Sequence, residues 1–250
     1  MKIAAVIPCR FQSSRFEGKP LATIGGKPMM WHVYQQALKA NLIDVAYIAT
    51  DNHEIADTCT ELGMQWLMTS DRHLTGTDRV AECANELDAD IFVNVQGDEP
   101  FILPESIDAV TRALLDSDVP GLAAANGFSM IDSLEDANDT GVVKVISSVS
   151  GLALSYSRLP IPFPFRQSAP FCRQLGLYAF HKDALNFFAA TNQGPIEAAE
   201  SVEMYRFIEH DRPVLMVRVE ESGVAVDTPA DLYKARMIFD KMYPLQSGKS

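Results

Sequence analysis

The sequence predicts an α/β fold in which helices cover both faces of a mainly parallel sheet and an antiparallel hairpin forms an inserted arm. Apolar runs of strand length, rich in β-branched residues, alternate along the chain with segments of helical periodicity. This alternation is typical of strand–helix–strand units, whose strands pair in parallel. The pattern changes at residues 142–147 and 152–157, where apolar and polar side chains alternate on either side of a short turn. That exception predicts the antiparallel hairpin.

The apolar runs place the strands in order along the chain. The first, from Ile3 to Ile7, is short and continuous, as expected for a strand buried on both faces, and Pro8 is expected to end it. Outside the hairpin, further strands are predicted at residues 44–50, 65–69, 91–95, 121–125, 174–180 and 214–219. The hairpin therefore falls between the fourth and fifth of these six strands.

Between the strands, apolar residues recur at the three- and four-residue spacing of helices. Pro28 is expected to open the first helix, and Asn52 can cap the second. The later helices are predicted at residues 54–62, 80–87, 107–115, 182–191, 197–210 and 229–242.

The predicted helix at 197–210 carries three charged residues at a spacing of three. Glu200, Glu203 and Arg206 would lie near one another on its surface, with Glu203 facing a site and Arg206 beside it. A solvated helical face is the ordinary explanation of such a pattern, so on its own it does not indicate a function.

The composition bounds the class of protein. Of 250 residues, 47% are hydrophobic and 22% charged, enough apolar residues for a large core. A net charge of −12 argues against nucleic acid or an anionic membrane as the main partner. The four cysteines form no C-x-x-C pair, so neither a disulfide framework nor a zinc site is predicted. With no signal peptide or membrane-spanning run evident, a cytoplasmic protein without membrane insertion is expected.

A positively charged loop follows the first strand. Arg10, Arg15 and Lys19 lie within ten residues of each other, with the hydroxyl of Ser13 between them. In an α/β sheet, the loop after a strand lies at the carboxyl edge, where ligands bind. Because the chain as a whole is acidic, this cluster predicts a local site for a polyphosphate.

Carboxylates follow two other predicted strands. Asp98 and Glu99 come directly after the strand at 91–95, and Asp227 follows a short apolar run far along the chain. Carboxylates at a strand end can hold Mg²⁺, which bridges to substrate phosphate. A further polar loop, residues 73–79, leads into a predicted helix with Thr77 or Asp78 near its start, where an anion or a ribose can bind.

Several enzyme classes lack their signature motifs in this chain. There is no G-x-x-x-x-G-K-[ST], no G-x-G-x-x-G and no G-x-S-x-G. P-loop kinases, dinucleotide oxidoreductases and serine hydrolases of the α/β type are therefore disfavoured. Transfer at phosphorus remains the best prediction, with positioning and charge neutralisation as the main catalytic work.

Four stretches in order resemble the CMP-Kdo synthetases, the 3-deoxy-manno-octulosonate cytidylyltransferases, over nearly the whole chain. They are Ile7-Pro-Cys-Arg to Lys-Pro-Leu21, His73 to Arg79, Asn94-Val-Gln-Gly-Asp-Glu-Pro100 and Gly223 to Leu232. The resemblance implies a nucleotidyltransferase fold and a cytoplasmic homodimer that serves lipopolysaccharide synthesis. The implied reaction joins CTP and an octulosonate sugar into a CMP-sugar with release of pyrophosphate.

The resemblance also implies roles for individual residues. Lys19, Arg15, Asp98 and Asp227 would be catalytic, and Asp98 and Asp227 would ligate the Mg²⁺ cofactor. The CTP-binding residues would be Arg10, Ser13, Arg15, Lys19 and Thr77. The sugar-binding residues would be Arg79, Gln96, Arg158, Gln174, Tyr178 and Glu203.

Two departures from the family pattern fall in the region that recognises the sugar. Gln174 stands where the family usually has His, and Met204 stands where it usually has Gln. A changed polar group can alter which sugar a hydrogen-bonding pocket accepts. An 8-amino-3,8-dideoxy-manno-octulosonate is therefore predicted as a serious alternative to Kdo, since Glu203 could accept an ammonium group.

The organisation predicted for the chain is one domain over residues 1–243, with an insertion at about 142–180 and a tail at 244–250. The insertion would serve the sugar pocket and dimer contacts, and its Pro- and Phe-rich stretch at 160–170 could form the dimer surface or pack on its own domain. Two other functions stay open: a cytidylyltransferase for another acidic sugar such as a sialic acid, and a catalytically silent nucleotide-binding protein.

Overall fold

The computed structural model describes residues 1–12, 16–167, 169–220 and 223–243. Its strands are β1 (Ile3–Cys9), β2 (Thr23–Ile24), β3 (Lys27–Pro28), β4 (Val45–Thr50), β5 (Trp66–Met68), β6 (Ile91–Val95), β7 (Ala124–Ile131), β8 (Lys144–Ser147), β9 (Ala153–Ser157), β10 (Phe171–His181) and β11 (Val214–Arg218). Its helices are α1 (Met29–Lys39), α2 (His53–Glu61), α3 (Gly76–Glu86), α4 (Pro104–Leu115), α5 (Leu134–Asn138), α6 (Lys182–Ala190), α7 (Pro195–Glu200), α8 (Tyr205–Ile208) and α9 (Pro229–Met242).

The main sheet has the strand order β11-β7-β10-β6-β1-β4-β5. Strand β1 pairs in parallel with β4 and β6, and β4 with β5 and β11 with β7 are parallel as well. Strand β10 runs antiparallel to both of its neighbours, β6 and β7. The predicted mainly parallel sheet is confirmed, and the reversed strand lies inside it.

The predicted hairpin is also confirmed, as β8 and β9 pair antiparallel and β8 contacts β10 at one position. The stretch predicted as an insertion thus supplies the hairpin and, in β10, a central strand of the sheet. Residues 244–250, predicted as a tail, lie outside the described residues.

Helices cover both faces of the sheet, as predicted. One buried cluster packs α1, α2 and α4 against β1, β4 and β6. A second cluster on the opposite face packs α3, α6 and α8 against β6 and β10, with Phe180, Phe188 and Phe207 fully buried. Because both faces are covered, the ends of the strands are left as the place where polar side chains can gather.

Three local expectations were wrong. Pro8 does not end the first strand, which continues to Cys9. Val6 is the last residue of β1 that pairs with β6, and Pro8 lies beyond it. The missing N–H of Pro8 therefore removes no hydrogen bond between β1 and β6. The strand expected at 121–125 runs from Ala124 to Ile131, and the helix expected at 197–210 is two short helices, α7 and α8.

The break between α7 and α8 has a backbone cause. Ser201 adopts a left-handed conformation with φ of 54°, which a helix cannot continue through. Glu200, Glu203 and Arg206 therefore do not lie on one helix, and the arrangement expected from their spacing is replaced by a turn at residues 201–204.

Within the described part of the chain, no helix has both the length and the apolar character needed to cross a bilayer.

Candidate active site

The basic loop follows β1, as expected, and its described residues begin the site. Arg10 is exposed, whereas Ser13 and Arg15 lie outside the described residues. Gly18 has φ of 66° and its N–H donates to the carbonyl of Phe11 at 2.9 Å, which closes the loop. That turn is followed by a 3₁₀ turn at Lys19–Leu21, so Lys19 is held by ordered backbone at the end of the loop.

Lys19 is bound by two carboxylates that are far from it in sequence. Its Nζ lies 2.8 Å from Oδ2 of Asp98 and 3.2 Å from Oδ1 of Asp227. Its side chain is 15% exposed, so the ammonium is largely shielded from water. Burial lowers the pKa of Lys19, but the charges of Asp98 and Asp227 outweigh burial and the pKa is raised.

Backbone packing explains how Asp227 reaches Asp98. The N–H of Val226 donates to the carbonyl of Asp98 at 2.8 Å, and the Val226 side chain is fully buried in a small cluster that includes Phe101. On the other side, Thr228 and Asp231 form a capping box at the start of α9. Asp227 is therefore held between a buried residue and a capped helix, with its carboxylate directed at Lys19.

The donor set of Asp98 and Asp227 fits a divalent cation. Both carboxylates contact one cationic nitrogen, so a single positive charge can lie against both. Among the described residues no group of three or more His, Cys, Asp or Glu side chains is arranged to hold a metal. Two carboxylates are what Mg²⁺ uses when water and substrate phosphate complete its coordination.

A second polar group lies at the start of α3. Oε2 of Glu203 accepts the N–H of Thr77 at 3.0 Å, and Oγ1 of Thr77 accepts from Nδ2 of Asn94 at 3.4 Å. Thr77 and Asn94 are fully buried, and Glu203 is 9% exposed. Thr77, predicted to bind CTP, thus lies beside a residue predicted to bind the sugar.

Gln174 and Tyr178 belong to the same region. Tyr178 lies opposite Asn94 across β10 and β6, and its hydroxyl accepts from Nε2 of Gln174 at 2.6 Å. Burial raises the pKa of Tyr178 well above its ordinary value, with a smaller contribution from the charge of Glu203, so the phenol stays protonated.

Three buried acceptor atoms in this group have no hydrogen-bond partner among the residues that the structure describes: Oδ1 of Asn94, Oε1 of Gln174 and Oε1 of Glu203. Buried polar atoms nearly always have partners, so three together indicate a ligand that brings hydrogen-bond donors. Burial also raises the pKa of Glu203, and the donor groups of Thr77, together with the Thr75 hydroxyl, offset only part of that effect. We call Asn94, Gln174 and Glu203 the acceptor cluster.

Gln96 lies along the chain between Asn94 of the acceptor cluster and Asp98 of the charged cluster. It follows β6 two residues before Asp98, and its N–H donates to the carbonyl of Gly176 at 2.9 Å. A Cβ added to Gly176 would lie 2.7 Å from Cγ and Cδ of Gln96, so only glycine leaves room for this side chain. The neighbouring Glu99 accepts the N–H of Gly176 at 3.2 Å.

The two arginines predicted at the sugar have other partners. Arg79 is buried, bonds Thr69, and its Nη2 lies 2.8 Å from Oδ2 of Asp51. Arg158 donates to the backbone carbonyls of Glu200 at 2.7 Å and Thr140 at 2.8 Å. The structure therefore uses both guanidinium groups to join elements around the site, and their contact with a sugar stays a prediction.

Asn94 lies within one of the sequence motifs but is not among the predicted site residues. The signal for it was present, since it is the one polar residue in the otherwise apolar strand Ile91–Val95. A polar side chain in a fully buried strand requires a partner. Glu99 is predicted only as one of the carboxylates after that strand, and its contact with Gly176 depends on a pairing that the local sequence does not show.

Comparison with known proteins identifies the family. Residues 4–216 match the family model described as cytidylyltransferase. A 3-deoxy-manno-octulosonate cytidylyltransferase of Pelobacter propionicus is 44% identical over 251 residues, covering 96% of this chain and 98% of its own. That of Trichlorobacter lovleyi is 41% identical over 248 residues, covering 94% and 98%. This chain belongs to the 3-deoxy-manno-octulosonate cytidylyltransferase family.

Solved structures agree with this membership. A CMP:2-keto-3-deoxy-manno-octonic acid synthetase in complex with CTP matches this cytidylyltransferase with a TM-score of 0.91 and 35% identity, covering 97% of this chain and 100% of its own. A 4-diphosphocytidyl-2C-methyl-D-erythritol synthase from Anaerococcus prevotii, at 16% identity and a TM-score of 0.62, covers 94% and 97% and shares the fold alone. The predicted family, fold class and enzyme class are confirmed.

The structure locates the two residues in which this cytidylyltransferase departs from the pattern expected for its family. Gln174 lies in the acceptor cluster with its Oε1 unpaired among the described residues. Met204 is fully buried in the apolar cluster beneath α3, α6 and α8. The first change alters a polar group in the site, whereas the second places an apolar side chain where the family pattern has an amide.

Proposed function

We propose that this chain transfers the CMP group of CTP to an acidic octulosonate sugar and releases pyrophosphate, as part of lipopolysaccharide synthesis. One observation carries the proposal: the cluster of Lys19, Asp98 and Asp227 lies just past the end of β6, the strand that carries Asn94, one of three buried acceptors with no partner among the described residues. The first group suits a triphosphate with a divalent cation, and the second suits a hydroxylated sugar.

At the phosphate end, Lys19 supplies a shielded positive charge. Arg10 on the same loop, together with Ser13 and Arg15 by the sequence pattern, would surround the triphosphate. These cations would neutralise the charge that develops on the leaving pyrophosphate, which is the main work in phosphoryl transfer. The bond that breaks joins the α-phosphorus to the pyrophosphate oxygen, and the bond that forms joins it to the anomeric oxygen of the sugar, whose hydroxyl proton is released.

Mg²⁺ is proposed as the cofactor, with Asp98 and Asp227 as its protein ligands. When bound, Mg²⁺ would supply positive charge to the phosphate oxygens and favour ionisation of the attacking hydroxyl. The role of the chain is to keep the two carboxylates together, through the Val226 hydrogen bond to Asp98 and the capped start of α9.

The acceptor cluster would hold the sugar and set the direction of its attack. A sugar with several hydroxyls can donate to Asn94, Gln174 and Glu203, which leaves fewer buried oxygens unpaired when it binds. A sugar that lacks one of these donors would leave an acceptor unpaired, and such sites discriminate strongly.

An 8-amino-3,8-dideoxy sugar is the second candidate substrate, supported by Oε1 of Glu203, which has no hydrogen-bond partner among the described residues. An ammonium group would form a charge-assisted hydrogen bond with Glu203, stronger than that from a hydroxyl. Unmodified Kdo, which the names of the relatives imply for those enzymes, remains the first candidate.

The chain is further proposed to work as a homodimer in the cytoplasm. Phe163 and Phe165 lie in the Pro-rich stretch and are 79% and 82% exposed, and Leu159 is 66% exposed. An apolar surface of this kind is typical of an interface between subunits. Replacing both phenylalanines by serine should yield a monomer on size-exclusion chromatography, and an unchanged elution volume would exclude this stretch as the interface.

Pyrophosphate release tests the function directly. The enzyme would be incubated with CTP and Mg²⁺ and with Kdo, 8-amino-Kdo or a sialic acid in separate reactions. Release with an octulosonate and not with the sialic acid is expected. Release with the sialic acid alone would favour the other acidic-sugar function, and no release with any sugar would favour a silent nucleotide-binding protein.

A further inference from the structure

Glu203 occupies a short non-helical turn between α7 and α8. The left-handed backbone at Ser201 ends α7, and α8 begins only at Tyr205. The carboxylate of Glu203 nevertheless lies 3.0 Å from the N–H of Thr77, on a helix more than 120 residues away in sequence. No regular secondary structure holds this turn, so its position against α3 requires other contacts.

Arg206 supplies those contacts from the start of α8. Its Nε and Nη2 bind both oxygens of Glu197 in α7, at 2.9 and 2.6 Å. Its Nη1 binds Oδ1 of Asp78 in α3 at 2.8 Å, and its guanidinium lies 3.8 Å from the ring centroid of Phe188. One side chain thus joins the helices on either side of the Glu203 turn to each other and to α3.

Asp78 connects this clamp to the site. Its Oδ2 accepts the N–H of Thr75 at 3.0 Å and the hydroxyl of Thr75 at 2.8 Å, which caps α3, while its Oδ1 accepts from Arg206. Thr77, which donates to Glu203, is the residue directly before Asp78. The N–H of Arg206 also donates to the carbonyl of Glu203 at 3.1 Å.

We propose that Arg206 is a positioning residue for sugar binding, which holds the carboxylate of Glu203 against the start of α3 through its forked contacts with Glu197 and Asp78. The proposal rests on the proposed role of Glu203 at the sugar. Arg206 is 3% exposed and its guanidinium is bonded to Glu197 and Asp78 and lies on the ring of Phe188, so it acts through Glu203 and does not itself touch substrate. Only the planar guanidinium can serve both carboxylates and stack on Phe188 at once.

Two variants separate this role from general stability. Arg206→Lys keeps the charge but loses the fork. Asp78→Asn keeps one acceptor oxygen for the Thr75 cap and replaces the other by an NH₂ group, which cannot accept from Arg206. Both should raise the KM for the sugar by about tenfold or more and change the KM for CTP by less than about twofold, because a displaced contact weakens the ligand that uses it.

The control is Arg212→Lys. The Arg212 guanidinium also lies 3.8 Å from a phenylalanine ring centroid, that of Phe187, in the same part of the molecule. If loss of ring stacking alone raised the sugar KM, both arginine variants should show the increase. If loss of positioning raises it, only Arg206→Lys should show the increase. Thermal unfolding of each variant would show that the measurements concern folded protein.

A coupling measurement decides whether Arg206 acts through Glu203. In a Glu203→Gln background, Arg206→Lys should add less than about twofold to the sugar KM, because residues that act through one contact are not additive. Equal increases in the KM for sugar and the KM for CTP would overturn the positioning role. So would a fold-increase in the sugar KM from Arg206→Lys that is as large in the Glu203→Gln background as in wild type. Turnover by the wild type would uphold the proposed function in either case. No pyrophosphate release by the wild type with any sugar would overturn the proposed function, and the positioning role with it.

Discussion

The ammonium of Lys19 lies 2.8 Å from Oδ2 of Asp98, and the two residues belong to loops that follow adjacent parallel strands. Asp227 joins the same ammonium from a distant part of the chain. One positive side chain is thus shared by two carboxylates that would otherwise repel each other in a shielded site. The repulsion between the two carboxylates can therefore be measured by removing the ammonium of Lys19.

Lys19→Met should remove activity and make the fold dependent on added cation. Without the ammonium, the carboxylates of Asp98 and Asp227 repel each other, and the loss of a shielded ion-pair partner typically costs about 3–5 kcal/mol. Added Mg²⁺ should restore more of the lost thermal stability in this variant than it adds to the wild type. The control is Lys39→Met, since Lys39 is exposed and, within the described part of the chain, its ammonium hydrogen-bonds only to Gln36. Equal Mg²⁺-induced shifts in melting temperature for Lys19→Met and wild type would contradict this account of the cluster.

Glu203→Gln should affect an amino sugar more than a hydroxylated one. Oε1 of Glu203 has no partner in the part of the chain that the structure describes, so it can pair with an ammonium group, and an amide loses that charge-assisted contact. The KM for 8-amino-Kdo should rise by about tenfold or more, with a smaller change for Kdo. Steady-state kinetics with both sugars checks this, and Glu54→Gln on the exposed face of α2 serves as the control. The same increase for both sugars would show that Glu203 does not recognise an ammonium.

Gly176→Ala should damage the site with little effect on the rest of the fold. The new Cβ would lie 2.7 Å from the Gln96 side chain and displace it. The value of kcat/KM should fall by about tenfold or more, since small displacements near reacting groups slow catalysis strongly. Gly127→Ala in the neighbouring strand β7 is a matched control, because its Cβ would meet Val110 and Leu177 at ordinary distances of 3.5 and 3.6 Å. Normal activity of Gly176→Ala would mean that Gln96 is not needed where it lies.

Acid should weaken the loop that precedes α3. Oε2 of Glu82 accepts the N–H of Ser70 at 2.8 Å and lies 2.5 Å from Nε2 of His73. Burial raises the pKa of Glu82, but these hydrogen bonds outweigh it and the pKa is lowered. A carboxyl group whose pKa is lowered by folding stabilises the protein above its unfolded pKa and loses that contribution as pH falls through the folded value.

Glu82→Gln should therefore destabilise the protein by about 1 kcal/mol at neutral pH, with no difference from wild type in strong acid, where both side chains are uncharged. Chemical unfolding at a series of pH values measures this. Glu86→Gln, on the exposed side of the same helix, should show no such dependence. A difference between Glu82→Gln and wild type that stays constant down to strong acid would refute the ionic contribution.

Much of the fold could be predicted from local patterns. The strand at 91–95 is a continuous apolar run, and the hairpin at 142–157 has period-two alternation, so each carries its own signal. The reversed direction of β10 had no such signal. Direction in a sheet depends on how the chain returns to it, and a buried apolar strand has the same composition either way.

The break at Ser201 shows a different limit. Residues 197–210 have helical spacing, yet they form two helices separated by the left-handed Ser201, and Arg206 binds Glu197 and Asp78 across that turn. Long-range ion pairs can override local propensity. Asp78 was considered only as one of two residues near a helix start, although Thr75 and Asp78 have the spacing of a capping box.

The candidate site was predictable where charged residues directly follow apolar runs in the sequence. Lys19, Asp98 and Asp227 were predictable because basic and acidic groups follow apolar runs, and the structure brings those three together. The backbone contacts of Arg158 and the pairing of Arg79 with Asp51 could not be seen in this way. A surplus cation can be recognised in a sequence, but the partner that it finds depends on the folded chain.

The central claim is that Asp98 and Asp227 together support transfer of CMP from CTP to the sugar. Phosphorus-31 NMR of a reaction with CTP, Mg²⁺ and Kdo or 8-amino-Kdo tests it most directly, in wild type, Asp98→Asn and Asp227→Asn. Wild type should convert the three CTP resonances into pyrophosphate and one phosphodiester signal, and each variant, although folded, should do so at least about 100-fold more slowly. Conversion by Asp227→Asn at the wild-type rate, or hydrolysis of CTP without a phosphodiester product in wild type, would contradict the account.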